Sequence, residues 1–112
     1  MSGLCRVILL GHLGAAPELR TTTGGEPVCN LRVATTDTWT GKDGQRQERT
    51  EWHSVAVFGQ LAESCGRSLA KGRQVLVEGR IQSRKYTDKE GVERRLTEIV
   101  ASNVVSVGEA GR

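Results

Sequence analysis

Residues 50–81 read TEWHSVAVFGQLAESCGRSLAKGRQVLVEGRI, and the spacing of the apolar residues changes twice along this stretch. Thr50 to Phe58 alternates with a period of two, which predicts a strand, and the alternation returns from Arg73 to Ile81. Between them the apolar residues are four apart, which predicts a short helix ending at Lys71-Gly72; this stripe consists of Leu61, Cys65 and Leu69. The stretch therefore predicts a strand, a helix and a second strand.

Three further strands are predicted outside this stretch, at Cys5–Leu13, Pro27–Thr38 and Leu96–Val107. A turn at Thr21–Glu26 and polar loops at Thr40–Arg49 and Thr87–Arg95 separate the strands. The first strand is apolar on both faces, so one face is expected in the core and the other against a second surface such as another subunit. A sharp bend is expected at Gly79. In the last two strands, Val75, Val77 and Ile81 are predicted to point inward, and Ile99, Ala101 and Val105 are predicted to share one face.

This order of elements places the chain in the all-β class. Five strands with one short helix between strands 3 and 4 fit the OB-fold, a Greek-key barrel. A single helix excludes the parallel α/β folds, in which helices alternate with strands. At 112 residues the chain has room for one domain, predicted at residues 1–107 and followed by a short polar end at 108–112.

Composition limits the cellular setting and the chemistry. No apolar run approaches the roughly 20 residues of a membrane helix, and the first residues lack a signal-peptide pattern, so a cytoplasmic protein is expected. Cys5, Cys29 and Cys65 are odd in number and widely spaced, and neither histidine stands at ligand spacing from them. Three partly buried thiols in a reducing compartment are therefore expected, with no metal site.

Positive charge is concentrated between residues 66 and 95. This segment holds nine cations and four anions, a net charge of +5, whereas the whole chain carries +3. Such a concentration suits a polyanionic partner. It is equally typical of a solvated lysine and arginine surface, so charge alone does not decide between the two interpretations.

The aromatic residues give a sharper indication. The chain holds only four, and its 25 valine, isoleucine and leucine residues are enough to build an aliphatic core without them. Two of the four share a strand face opposite the core valines, and the other two stand among polar and basic residues. Exposed rings interleaved with cations are what a single-stranded nucleic acid needs for base stacking and phosphate neutralisation. The four residues are Trp39, Trp52, Phe58 and Tyr86.

From about Val7 to Val107 the chain resembles the bacterial and mitochondrial single-stranded DNA-binding proteins. The matching stretches are VILLGHLGAAPELR, VATTDTW, TEWHSVAVFGQLAE and KGRQVLVEGRIQSRKYTD. The resemblance implies sequence-independent binding of single-stranded DNA in replication, recombination and repair, by a homotetramer associated with the nucleoid. It implies base stacking on Trp39, Trp52, Phe58 and Tyr86, phosphate contacts from Arg6, Lys71, Arg84 and Lys85, and a subunit contact at His53.

Some positions depart from the family's pattern. Ser54 and Gln60 stand where relatives often carry cations, which should weaken attraction to phosphate. The sequence ends in GEAGR, whereas many bacterial relatives continue into a long tail with an acidic tip that recruits repair and replication enzymes. A short form lacking that tail is expected, and such recruitment is doubtful.

Two other classes of function are open to test. An accessory module of the same fold would mainly contact proteins, and it would not need four aromatic residues outside the core. A nuclease would need clustered carboxylates or histidines to hold a metal ion. The acidic residues between 37 and 51 instead alternate with lysine and arginine in a polar stretch. No catalytic residue, metal or cofactor is therefore expected.

Overall fold

The computed structural model describes residues 3–108, and in this range the chain forms six strands and one helix. The predicted polar end at 108–112 lies outside the described residues apart from Gly108. The elements in chain order are β1 (Val7–Leu13), β2 (Glu18–Thr21), β3 (Pro27–Thr40), β4 (Arg46–Phe58), α1 (Gly59–Ser68), β5 (Gln74–Thr87) and β6 (Glu93–Ser106).

Five of these strands close into a barrel in the order β1-β5-β6-β4-β3. The ring closes because β1 pairs with β5 along one edge and with β3 along the other. Neighbouring strands are antiparallel except β4 and β6, which run parallel where Val55 lies opposite Ile99. The four-residue β2 pairs with β3 outside the ring. The predicted OB-fold barrel is confirmed, with its helix between β4 and β5.

The inward faces of the barrel strands form one aliphatic core. Val55 and Val57 of β4 are buried there, as their alternation predicts, together with Leu31 and Val33 of β3. Helix α1 adds Cys65 to the same cluster. Each of the four aromatic side chains, in contrast, is at least 41% exposed. The aliphatic residues therefore fill the barrel without any aromatic ring, and the rings are available at the surface.

The cysteines differ in their surroundings. Cys29 and Cys65 are buried, and burial raises the pKa of the Cys65 thiol to about 11, with a smaller contribution from neighbouring Cys29. Cys5 is exposed, so the prediction of three partly buried thiols is wrong for this residue. The reason is its position, because β1 begins at Val7 and Cys5 therefore precedes the barrel.

Two strand pairs extend well beyond the barrel. We call residues 36–50 the β3–β4 arm and residues 83–97 the β5–β6 arm. Their strands replace most of the predicted polar loops at Thr40–Arg49 and Thr87–Arg95, leaving short turns at 41–45 and 88–92. Sequence periodicity misses these arms because both faces are exposed and polar, so no alternation marks them as strands.

Asp88 organises the tip of the β5–β6 arm. Its Oδ1 accepts hydrogen bonds from the backbone N–H groups of Glu90 and Val92, both at 3.0 Å, and its Oδ2 accepts one from Nε of Arg94 at 2.9 Å. The Arg94 contact, followed by these backbone bonds, lowers the pKa of the Asp88 carboxyl below its usual 3.8. The tip is thus ordered by polar contacts, and Arg94 has an internal partner.

A β-bulge interrupts the pairing of β5 with β6. Glu78 lies opposite Asn103 but Gly79 lies opposite Ala101, so Ser102 is an extra residue on β6. The bulge thus lies at Gly79, the position where a bend is predicted. The extra residue inverts the alternation that follows, so that Val104 packs against the core. The prediction that Val105 shares a face with Ile99 and Ala101 is therefore wrong. Ile81 was predicted inward; it is 54% exposed because β5 is leaving the barrel at that point.

The described part of the chain contains no helix with the length and hydropathy of a bilayer span.

Candidate nucleic-acid interface

The outer face of β3 and β4 forms a groove. Because Leu31 and Val55 point into the core, their even-numbered neighbours point outward. The outward residues pair across the strands in four rungs, and we call these rungs the β3–β4 groove. The rungs are Val28 with Phe58, Asn30 with Ala56, Arg32 with Ser54, and Ala34 with Trp52. An aromatic ring therefore stands at each end of the groove, with two rungs that carry polar side chains between them.

Trp52 and Phe58 are 52% and 41% exposed. They are six residues apart on one strand, which corresponds to about 20 Å. The edge of the Trp52 ring lies against Gly14, where an added Cβ would meet ring carbons Cζ3 and Cη2. The guanidinium of Arg32 lies 5.5 Å from the ring centroid. The Trp52 ring is thus supported from one side by the chain, and both rings are open to solvent.

Trp39 and Tyr86 lie on the two arms, outside the groove. Trp39 is 48% exposed and pairs with Gln47 in the β3–β4 arm. Because Ala34, an even-numbered residue, pairs with Trp52, the odd-numbered Trp39 lies on the opposite face of this strand pair. Tyr86 is 42% exposed on β5. The four aromatic residues therefore form three separate surfaces, of which the groove holds two rings.

Arg84 borders the groove and is paired with an acidic residue. Its Nε lies 3.0 Å from Oε1 of Glu98, whose carboxylate is buried, with 8% of the residue exposed. Both residues line the depressions that contain Asn30. Lys85, predicted to act beside Arg84, points to the other face of β5 because successive residues of a strand alternate. The structure thus separates these two predicted phosphate contacts.

The other two predicted phosphate contacts lie away from the groove. Arg6 precedes β1, and its guanidinium is 3.9 Å from the carboxylate of Glu78. Lys71 lies in the turn between α1 and β5 and borders a depression with His12. Neither residue lines the depressions that contain Asn30. Of the four predicted cations, Arg84 alone borders the groove.

His53 lies on the face of β4 opposite Trp52, as its position in the alternation indicates. It is half-buried, and its Nε2 is 2.9 Å from the Thr35 hydroxyl. A second feature outside the groove is the outer face of β1, where Ile8 and Leu10 are 61% and 55% exposed. Leu10 pairs with Leu76 of β5, so the apolar surface continues onto that strand. The first strand is therefore apolar on both faces with one face uncovered.

Sequence reasoning missed Asn30, Arg32 and Glu98. Asn30 carries a buried side-chain oxygen that finds no hydrogen-bond partner among residues 3–108. The alternation of β3 does predict that Arg32 lies on the face opposite Leu31 and Val33, but it gives Arg32 no role. That Arg32 lies beside Trp52 could not be predicted, because neither strand alone determines the register between β3 and β4. No group of three or more potential metal ligands occurs among the described residues.

Comparison with known proteins gives a consistent result. The sequence profile of the Single-strand binding protein family matches residues 4–107. The chain is 51% identical over 105 residues to a Neisseria meningitidis serogroup A protein named single-stranded DNA-binding protein, covering 94% of this chain and 60% of that one. It is 48% identical over 110 residues to single-stranded DNA-binding protein 1 of Xylella fastidiosa, covering 97% and 81%.

Among solved structures, a Plasmodium falciparum SSB in complex with ssDNA matches with a TM-score of 0.86 at 25% identity. The match covers 96% of this chain and 98% of that one. The chain spans about 60% of the length of the Neisseria relatives. The family profile extends over all strands and the helix of the barrel. The chain therefore belongs to the single-strand binding protein family.

Proposed function

We propose that this protein binds single-stranded DNA without regard to sequence and protects it during replication, recombination and repair. The observation that carries the proposal is the β3–β4 groove, with an exposed aromatic ring at each end. A solved structure of similar fold is a complex with ssDNA, and relatives of about 50% identity are named for the same activity. The action we propose is binding without catalysis in the cytoplasm, at the nucleoid.

Binding of this kind follows from the chemistry of the two partners. Every base has a flat face that can stack on an indole, phenol or phenyl ring, and such stacking contributes about 1–3 kcal/mol per base. The bases of a duplex are already stacked and paired, so the rings select unpaired DNA. Binding then opens short hairpins by mass action, because only the unpaired form is bound.

The proposed contacts extend over the groove and both arms. Stacking is assigned to Trp52 and Phe58 in the groove and to Trp39 and Tyr86 on the arms. Phosphates are assigned to Arg6, Lys71, Arg84 and Lys85. Their positions on different faces are consistent with a DNA strand that passes around the molecule rather than along one groove.

A fluorescence titration tests the proposed function directly. Trp39 and Trp52 are both half-exposed, so we expect oligo(dT) to quench tryptophan emission at near-stoichiometric concentrations. Duplex DNA of the same length serves as the control and should quench little. An absence of quenching by oligo(dT) would contradict the proposal and favour an accessory module that contacts proteins.

The salt dependence of binding tests whether the proposed cations contact phosphates. Replacing Lys85 by alanine is expected to reduce the slope of log K against log salt concentration by about 0.7, the contribution of one neutralised phosphate on a single strand. Replacing Arg84 should reduce it less, because Glu98 already neutralises part of its charge. Lys85→Arg keeps the charge and should keep the slope. An unchanged slope in Lys85→Ala would remove this residue from the phosphate path.

We also propose a homotetramer. The uncovered apolar face of β1, with Ile8 and Leu10, supports association, because a monomer would leave this patch in water. His53 is assigned to a second subunit contact. Sedimentation velocity should give the mass of four chains, and a monomer at micromolar concentration would contradict the assignment.

A further inference from the structure

Among residues 3–108, Arg32 is the cation that lies over an aromatic ring. It occupies the rung next to Trp52, and its guanidinium lies 5.5 Å from the centroid of that ring. The residue is exposed. Among residues 3–108, four ion pairs are formed, by Arg6, Arg49, Arg84 and Arg94, so no carboxylate there neutralises Arg32. Its positive charge is therefore presented to the groove without an ion-pair partner.

Arg84 borders the same groove, but its positive charge is compensated by a carboxylate. Its guanidinium is held 3.0 Å from the buried carboxylate of Glu98, so this pair presents little net charge to a ligand. Ser54 and Ala56, the β4 residues between the two rings, carry no charge. Arg32 thus supplies positive charge at the Trp52 end of the groove, and Arg20, which lines the depression beside Phe58, supplies it at the other end.

We propose that Arg32 is a DNA-binding residue that holds the phosphate of the nucleotide stacked on Trp52; this rests on the proposed function. Since a phosphate is covalently tethered to its base, a guanidinium beside the ring that holds the base lies within reach of that phosphate. Arginine is suited to this position because its planar guanidinium packs on aromatic rings and also donates paired hydrogen bonds to phosphate oxygens. Trp52 and Arg32 therefore act as one unit, with the ring taking the base and the guanidinium taking the backbone.

The strand register provides a sharp test of this assignment. Ser54 lies directly opposite Arg32, and paired residues of antiparallel strands point to the same face. An arginine at position 54 would place a guanidinium on the same rung beside Trp52. Exchanging the two residues, as Arg32→Ser with Ser54→Arg, moves the charge between strands without changing the composition of the chain.

The experiment measures the affinity for oligo(dT) as a function of salt concentration. We expect Arg32→Ser and Arg32→Gln to reduce the slope of log K against log salt by about 0.7, which corresponds to about a fivefold loss of affinity at 0.1 M salt. The exchanged double variant should regain the wild-type slope. Arg67→Ala, which removes a charge from α1, is the matched control and should keep the slope. Circular dichroism confirms that each variant is folded, and Arg32→Gln retains most of the side-chain length if serine is not tolerated.

The possible results distinguish a failure of the Arg32 assignment from a failure of the proposed binding of single-stranded DNA. If the wild type does not bind oligo(dT), the proposed function fails and this assignment fails with it. If the wild type binds and both Arg32 variants keep its slope, only the assignment of Arg32 is overturned. An equal decrease in Arg67→Ala would also overturn it, because the effect would then arise from net charge. A reduced slope that the exchange restores supports it.

Discussion

Replacing Trp52 and Phe58 together by alanine is expected to weaken binding to oligo(dT) by about 2–6 kcal/mol, the sum of two stacking contributions. The effects should be nearly additive because the rings stand at opposite ends of the groove, about 20 Å apart. Both side chains are outside the core, so the free energy of unfolding should change little. Equilibrium titration and urea denaturation of the same samples measure the two quantities.

Aromatic replacements are the matched controls. Trp52→Phe and Phe58→Tyr keep a flat ring at each position, so each should lose much less affinity than its alanine counterpart. If the alanine double variant binds as tightly as the wild type, the groove is not the binding surface. If it loses affinity because it has unfolded, the loss of the urea transition will reveal it.

Replacing Gly79 by alanine is expected to lower the free energy of unfolding by about 1–3 kcal/mol through overpacking. A Cβ at this position would collide with the backbone oxygen of Val100 and lie 2.9 Å from Cα of Ala101. Both atoms belong to the paired strand, so the clash cannot be relieved by rotating a side chain. It can be relieved only if β5 and β6 move apart at the bulge. Urea denaturation measures the change.

Gly24→Ala is the control for the loss of a glycine. Its added Cβ would meet only Thr22, at 3.9 Å, and its backbone does not require a positive φ. Stability should be unchanged or raised by up to about 1 kcal/mol, because alanine reduces the entropy of the unfolded chain. Equal stability of Gly79→Ala and Gly24→Ala would mean that the bulge can absorb a methyl group.

The barrel could be predicted from sequence where one strand face is buried. In β4 the buried Val55 and Val57 mark the inner face, and the outer position of Trp52 follows from them. The change from a period of two to a spacing of four located α1. The order of the elements then limited the fold to one architecture. These features share a local cause, since each depends on residues close together in the chain.

The parts that sequence could not predict depend on pairing between strands. Simple alternation puts Val105 on the same face as Ile99 and Ala101. It misses Ser102, because the extra residue of the bulge is defined only by its register against β5. The sequence predicts loops at the arms, because neither face of these strands is buried and no apolar alternation marks them. Arg32 was not assigned a role because its neighbour in space, Trp52, is 20 positions away in the chain. Register across a sheet depends on the hydrophobic patterns of both strands and on the turn that joins them, so the pattern of one strand alone does not fix it.

The placement of Trp39 and Trp52 on opposite faces of one strand pair has a mechanical consequence. A polymer that touches both rings must turn sharply around a molecule whose longest dimension is 53 Å. Double-stranded DNA resists bending over a persistence length of about 500 Å, so following such a path would require strong bending. A flexible single strand can follow it with little elastic cost. Stiffness would then exclude duplexes even where their grooves and phosphates could be reached.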